Sequence, residues 1–389
     1  MTYTTMWSYL WDLEADGIDD SVRRLRGEIG LDAISVATAY HTFEQLRPQR
    51  RGGKLLRGEQ AALYFQPDPE LYGDTAIRPR VAELASKCDP LARLRDAAGR
   101  EGLDLISWTV CLHNSFLCGQ YPDLAQRTAY GDSLGWILCP GCPDVRAYVV
   151  ALCRDLALNY GVRRIELETC NFGGYGHSHH HVKDGTRLGA VGRYLFSLSF
   201  SSGCCAEAEA RGIDVEGLRR WVVEQLDPVF RDGQPLEGSI EETVADHEGL
   251  RAFQQMREEL VASLVAEVRA ATAPTSTGVS FLLMGDRWTS GIRADLIAPH
   301  CDRQGILAYT DSPDEVEGRV QAALTGGVPR ADRLVAGLCA YPPASPDAET
   351  LQATAQAAVR AGVEELSFYN YGICPPACLD WVRSCIRSI

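Results

Sequence analysis

Apolar and polar positions alternate in eight short segments of the chain: 4–13, 32–40, 103–113, 163–172, 278–286, 305–311, 333–341 and 364–372. Alternation at every second residue is the mark of a β-strand. Between most neighbours the period lengthens to that of an amphipathic helix, as in PDVRAYVVALCRDLALNY (143–160) and EGLRAFQQMREELVASLVAEVRAAT (248–272). Further helical patterns cover 312–324 and 347–362, opened by the capping residues Ser312 and Asp347 and closed on glycine. Strand and helix alternating eight times predicts a single α/β domain over 1–389, a closed (β/α)8 TIM barrel rather than an open doubly wound sheet. No GxGxxG follows the first strand, so a dinucleotide fold has little support.

Two connections are far longer than a barrel needs: residues 41–89 after strand two and 173–246 after strand four. Both follow strands and so extend from the C-terminal face, where barrels of this kind carry their chemistry. The second contains helical patterns near 203–211 and 214–228, which predicts a helical insertion that serves as a lid or as a contact between copies of the chain.

Strand alternation also says which side chains reach the barrel mouth. In strand four, Glu166 and Glu168 share a face opposite Ile165 and Leu167. A carboxylate under the helix layer is costly unless paired, so the glutamates are expected to face the axis, with Glu168 at the rim. In strand three the apolar parity Ile106, Trp108, Val110 and Leu112 is assigned to the helices, and Ser107, Thr109, Cys111 and His113 to the axis. The same rule takes strand two through Ser35, Ala37 and Ala39 to His41, and strand eight through Glu365, Ser367 and Tyr369 to Tyr371, with Asn370 in the turn. Strand five ends at Asp286, Arg287 and Trp288; strand six ends at Tyr309 and Asp311.

Composition narrows the classes of function. Hydrophobic content of 46% with 23% charged residues is ordinary for a folded protein. A formal net charge of −14 argues against nucleic acid or an anionic membrane as partner. No run of 18 apolar residues is present and the first residues carry no signal-peptide pattern, so a cytoplasmic location is expected. The 14 cysteines are scattered through apolar segments such as ISWTVCLH and VVALCRDL, as reduced core cysteines are. Two closer pairs, CPGC (139–142) and CPPAC (374–378), offer zinc ligands together with Cys204 and Cys205, but they lie far apart and lack flanking ligands.

The densest chemistry follows strand four: four of the eight histidines fall within 177–181, and Lys183, one of three lysines, comes next. Glu168, Asp286 and His113 are the candidate catalytic groups, since neighbouring carboxylates with separated pKa values suit acid–base work. His41, Asn114, Glu166, His180, His181, Lys183, Trp288, Tyr369 and Asn370 are the candidate substrate contacts. Glu166, deeper in its strand, reads more readily as a structural ion pair than as a catalyst, and the histidine run also reads as a solvated loop or an adventitious metal binder. His247 and His300 sit in helical contexts and are read as structural. Trp11, Trp136 and Trp288 are candidate platforms for the flat face of a sugar.

The succession TAYH after strand two, SWTVCLHN after strand three, LCPGCPDVRAYV before the next helix and IELETCNF…HHHVKDG after strand four resembles bacterial barrel proteins loosely described as glycoside-hydrolase-like, near families 10 and 42. The resemblance covers most of 5–210. It implies a (β/α)8 fold, a small carbohydrate or carbohydrate-like substrate, and an acid/base glutamate at the end of strand four, which is Glu168 here. It also implies a nucleophilic glutamate at the end of strand seven, where this chain reads VAGLCAYPP and has no carboxylate. Such relatives tend to carry a cysteine cluster where this chain has SLSFSSGCC.

Three readings follow. The first is a glycosidase-like hydrolase with Glu168 as general acid and Asp286, Asp311 or Glu166 as base or nucleophile, needing no cofactor. The second is a sugar isomerase, epimerase or lyase in which Glu168, His179, His181 and Asp286 hold a divalent metal such as Mn, Zn or Fe. The third is a sugar-binding barrel without catalysis.

Overall fold

The computed structural model describes residues 2–177, 181 and 183–389. Eight strands form the barrel: β1 (Tyr3–Tyr9), β2 (Ala33–Tyr40), β3 (Asp104–Val110), β4 (Arg164–Glu168), β5 (Gly278–Leu282), β6 (Arg303–Leu307), β7 (Leu334–Cys339) and β8 (Glu365–Tyr369). Each pairs in parallel with the next, and β1 pairs with both β2 and β8, which closes the ring. A closed ring leaves no strand edge unpaired. The eight-fold alternation in the sequence therefore corresponds to a (β/α)8 barrel.

Helices pack around the ring where the sequence period predicts them, among them Pro143–Asn159, Glu248–Thr272, Pro313–Thr325 and Ala348–Arg360. Their starts are chemically marked. Ser312 Oγ accepts the Glu315 N–H at 3.3 Å and Asp347 Oδ1 accepts that of Thr350 at 2.8 Å, which satisfies backbone donors the helix leaves open. His247 does the same for the Glu248–Thr272 helix through Nδ1, and its ring packs on Trp221.

Strand limits are shorter than the alternation suggests. β1 stops at Tyr9 and Leu10–Asp16 is helical; β5 stops at Leu282, and Asp286 caps the short helix Arg287–Ser290. The connection 41–89 contains the hairpin Phe43–Leu46/Leu55–Gly58 and a strand Ala62–Leu63 antiparallel to β2. The stretch 173–246 contains four helices among its described residues: Gly189–Ser197, Ser202–Ala210, Val215–Asp232 and Ile240–Asp246. A third long excursion, unforeseen from the sequence, follows β3: a helix Ser115–Gln120 and a hairpin Ala125–Arg127/Ser133–Leu138 that carries Trp136. No helix of the described residues is long and apolar enough to cross a membrane.

The barrel interior is unusually polar, and its charges are paired. At the N-terminal end Arg164 donates to both oxygens of Glu365, one at 2.9 Å. One level up, Glu166 accepts from Trp7 Nε1 at 2.9 Å and from the Ser35 hydroxyl. Glu168 forms the level beneath the mouth. Buried ions survive in low dielectric only with such partners.

Two parity assignments are corrected. In β3, Trp108 pairs with Glu166 in register and turns to the axis; Ser107 and Thr109 turn to the helices. The hydroxyls tolerate that side because Thr38, Ser107 and Thr109 hydrogen-bond one another at 2.7–3.3 Å. In β2 the register against β3 slips between Ala37 and Ala39, a bulge that turns Tyr40 inward.

All 14 cysteines are free. Cys139 and Cys204 bring their sulfurs to 3.2 Å, with Ser201 donating to Cys139, while Cys205 turns to the Phe200 carbonyl and Cys374 to that of Tyr371. The CPGC and CPPAC pairs do not meet in a zinc knuckle. Among the described residues no group of three or more His, Cys, Asp or Glu is placed to hold a metal ion.

Candidate active site

At the C-terminal mouth a cavity of about 510 Å³ opens over Glu168. β4 delivers this carboxyl because alternate residues point the same way, so Glu168 stands directly above Glu166. Immediately after it Thr169 adopts φ 50°, in the left-handed region that a β-branched residue seldom enters. The chain is thereby bent off the strand one residue past the carboxyl. Glu168 is 7% exposed, and the Trp108 indole donates to its Oε2. Burial raises its carboxyl to about 7; the Trp108 hydrogen bond opposes this, and the negative charge of Glu166 below adds to it. A carboxyl poised there exchanges a proton readily near neutral pH.

The walls are aromatic. Trp7, Tyr40, Trp108, Tyr309 and Tyr369 form the floor and one side. The Tyr9 hydroxyl links those of Tyr40 (3.1 Å) and Tyr369 (2.9 Å). Burial pushes the Tyr40 and Tyr309 hydroxyls well above their usual range and Tyr369 up to about 12, so these groups stay protonated around neutral pH. The opposite wall is a stack of rings. His41 lies on His113 with centroids 4.3 Å apart, His113 meets Trp136 at 4.9 Å and His177 at 4.8 Å, and His177 meets Trp136 at 4.4 Å. His41 Nδ1 lies 2.6 Å from the Thr42 carbonyl. His113 reaches the mouth although β3 has the parity opposite to that expected, because the chain has left the strand and bridges to Ile137.

Of the glycines after β4, Gly173 and Gly174 act by making room, whereas Gly176 adopts φ 100°. A Cβ on Gly173 would fall 2.5 Å from the Trp136 ring, and one on Gly174 2.3 Å from Thr289. The NFGG turn can therefore press against the Trp136 hairpin and form the rim.

Of the residues singled out from sequence, the structure brings Glu168, His41, His113, Trp136, Tyr309 and Tyr369 together at this cavity. The others stand elsewhere. Asp286 is exposed and its carboxylate accepts the Thr289 N–H at 2.7 Å as a helix cap. Asn114 caps Ser115–Gln120, and Asn370 is buried, its Oδ1 accepting from Gly372. Glu166 is sealed beneath the floor at 1% exposure. Trp288 carries the Arg287 guanidinium on its face, and Trp11 is stacked between Tyr9 and Phe43. Asp311, His181 and Lys183 are exposed, and Tyr371 donates to Asp16. His179 and His180 lie outside the described residues, so the metal set Glu168, His179, His181 and Asp286 is not seen assembled. His177, the first of the 177–181 run, also lines the cavity, and Trp7, Tyr40 and Trp108 are contacts that the sequence did not point to.

Among the described residues lining the cavity, Glu168 is the sole carboxylate. This carboxyl can give and take one proton, beside three imidazole rings, neutral hydroxyl donors and flat apolar faces.

No protein-family model and no curated protein matches the sequence. Solved structures do resemble the fold. The PgaB (BpsB) glycoside hydrolase domain from Bordetella bronchiseptica superposes with a TM-score of 0.60 at 13% identity, over 99% of both chains. A beta-galactosidase from Marinomonas ef1 gives 0.60 at 13% over 99% of this chain and 59% of its own. The beta-galactosidase from Halorubrum lacusprofundi gives 0.59 at 13%, over 99% and 57%. At these identities the likeness establishes the barrel fold.

Proposed function

We propose that the chain is a carbohydrate-active enzyme of the glycoside-hydrolase type, with Glu168 as its general acid/base. One observation carries this reading: a buried strand-end carboxyl, raised to about 7, stands in an aromatic-walled cavity of about 510 Å³. Sugars present flat C–H faces that aromatic rings cover, and a glycosidic oxygen leaves only when protonated. Names of similarly folded proteins, a glycoside hydrolase domain and two beta-galactosidases, support the substrate class.

A double displacement like that of families 10 and 42 needs a second carboxylate about 5–5.5 Å from the first, and inversion needs one at about 6.5–9.5 Å. The described lining offers Glu168 alone. Glu168 is accordingly read as proton donor to the leaving oxygen, with the anomeric carbon attacked by a group of the substrate itself. A 2-acetamido oxygen is such a group: its bond to the anomeric carbon replaces the one to the leaving oxygen, and water then opens the cyclic intermediate while the Glu168 carboxylate takes its proton back. Tyr369 and Tyr309, protonated at neutral pH, are read as donors that orient ring hydroxyls. No metal enters this scheme.

The test is hydrolysis of aryl glycosides, with and without a 2-acetamido group, by chelator-treated wild type and Glu168→Gln. Turnover by the wild type that falls by about 10²-fold or more in the variant is expected. Equal turnover in both removes Glu168 from the chemistry. Turnover that needs added Mn, Zn or Fe favours the metal-dependent reading, and sugar binding with no turnover makes the chain a binding barrel.

A further inference from the structure

A second cavity, of about 540 Å³, adjoins the mouth, and the two meet at Tyr175, which lines both. Tyr175 is half-buried and held from three sides. Its N–H donates to Ser197 Oγ at 3.0 Å, its hydroxyl donates to Asp184 Oδ2 at 2.8 Å, and its ring meets that of Phe196 at 5.1 Å between centroids. A ring fixed in this way is a partition between the cavities, with little rotamer freedom left to lose when a ligand packs on it.

The far wall is held by the backbone. The Leu236 N–H donates to the Leu188 carbonyl at 3.0 Å and the Gly192 N–H to the Leu236 carbonyl at 3.2 Å. Gly189, at φ 74°, permits that approach, since a Cβ there would lie 2.5 Å from the Leu236 carbonyl oxygen. Asp184, Arg187, Arg193 and Glu237 line the space and are all exposed, so their polar atoms are open to an occupant. Neither guanidinium is taken up by a salt bridge or hydrogen bond among the described residues. Asp184 Oδ1 accepts the Thr186 N–H at 2.9 Å and Glu237 Oε2 that of Ala190 at 3.4 Å, which leaves both carboxylates acceptor capacity. Two cations and two anions balance, so a charged ligand gains little there. A neutral ligand with adjacent hydroxyls gains from all four, because each hydroxyl donates to a carboxylate and accepts from a guanidinium.

We propose that a glycan chain passes from the mouth across Tyr175 into this cavity, where Asp184, Arg187, Arg193 and Glu237 hold a neutral sugar unit. Resting on the reading of the mouth as a sugar site, this makes the substrate an oligosaccharide or polysaccharide rather than a simple glycoside. Tyr175 supplies the apolar surface that a sugar's C–H face covers. Contacts remote from the bond being broken contribute binding energy that a short glycoside cannot use.

The test measures kcat/KM and calorimetric Kd for the dimer and the tetramer of N-acetylglucosamine, in β-1,4- and β-1,6-linked series. The full chain is compared with Glu168→Gln, Arg187→Gln and Arg193→Gln. In at least one series the tetramer is expected to bind and react about tenfold better than the dimer. Arg187→Gln and Arg193→Gln are expected to keep the wild-type Tm and to cut that preference severalfold. A preference absent from both series, or kept in full by both variants, overturns the second subsite. A preference in Kd that both variants lose, with no turnover that Glu168→Gln lowers, keeps the subsite and overturns the acid/base reading instead.

Discussion

The indole N–H of Trp108 donates to the carboxyl of Glu168 at the floor of the mouth cavity. The two residues come from neighbouring strands, and Val110, two places beyond Trp108, is the register partner of Glu168. The bond holds the carboxyl against the tryptophan and leaves its other oxygen for the cavity. It is the one direct donor opposing the burial that raises Glu168 to about 7.

Replacing Glu168 by glutamine separates chemistry from stability. Turnover is expected to fall by about 10²–10⁴-fold, since one positioned proton donor contributes that much. The wild-type carboxyl must be protonated to act, so kcat/KM should decline as pH rises through about 7. Stability moves the same way. The folded form holds its proton up to about 7 and the unfolded chain only to about 4.5, so the wild type loses stability between those values and levels off above. The loss is about 3 kcal/mol. Glu168→Gln lacks this slope, and urea unfolding at pH 5 and pH 8 should show the variant gaining on the wild type at the higher pH.

The ring wall offers a second test. His177 is exposed and its ring lies against Trp136 and His113. His177→Ala removes part of a sugar-covering surface and little of the core. Stability is expected to stay within about 0.5 kcal/mol, as for other surface changes. KM should rise severalfold with kcat nearly unchanged, the signature of lost uniform binding. A fall in kcat with constant KM would give His177 a part in the chemistry instead.

Gly173→Ala tests the rim. The added methyl would lie 2.5 Å from the Trp136 ring and 2.7 Å from Ile137, so the hairpin must move. Overpacking of this kind costs about 1–3 kcal/mol. A lowered Tm and a blue- or red-shifted tryptophan emission that a bound sugar no longer alters are the expected results. An unchanged Tm would mean that the hairpin yields freely.

The eight strands were legible because each carries clear alternation bounded by turn residues, and the capped helices because Ser312 and Asp347 are the residue types that satisfy open N–H groups. Glu168 was legible as a strand-end acid in a barrel. Trp108 was not, for a physical reason. A tryptophan reads as helix-facing apolar surface until a carboxylate is known to lie opposite its N–H, and that fact resides in register between strands, not within one. Thr38 hid Tyr40 in the same way, because the slip it sits in reverses parity without any local sequence mark. The Trp136 hairpin is short and weakly alternating, so its place over the mouth emerges only from packing. The polar face of β3 misled because three hydroxyls from two strands satisfy one another under the helices.

Trp108 and Glu166 make opposite predictions about one titration. Trp108→Phe keeps an aromatic ring on the axis but deletes the donor to Glu168. The ionised carboxyl loses that stabilisation, so its pKa rises further and the basic limb of kcat/KM should move to higher pH. Glu166→Gln keeps shape and an acceptor for Trp7 and Ser35 but removes a negative charge beneath Glu168. Ionisation of Glu168 then becomes easier, and the limb should move to lower pH. Both variants leave Glu168 in place, so a shift common to both would point to a general loosening of the site. Opposite shifts, each measured against the wild-type profile with one aryl glycoside, tie the limb to the carboxyl that lies between them. If neither variant moves the limb, the group titrating near 7 is not Glu168, and the stacked imidazoles of His41, His113 and His177 become the groups to vary next.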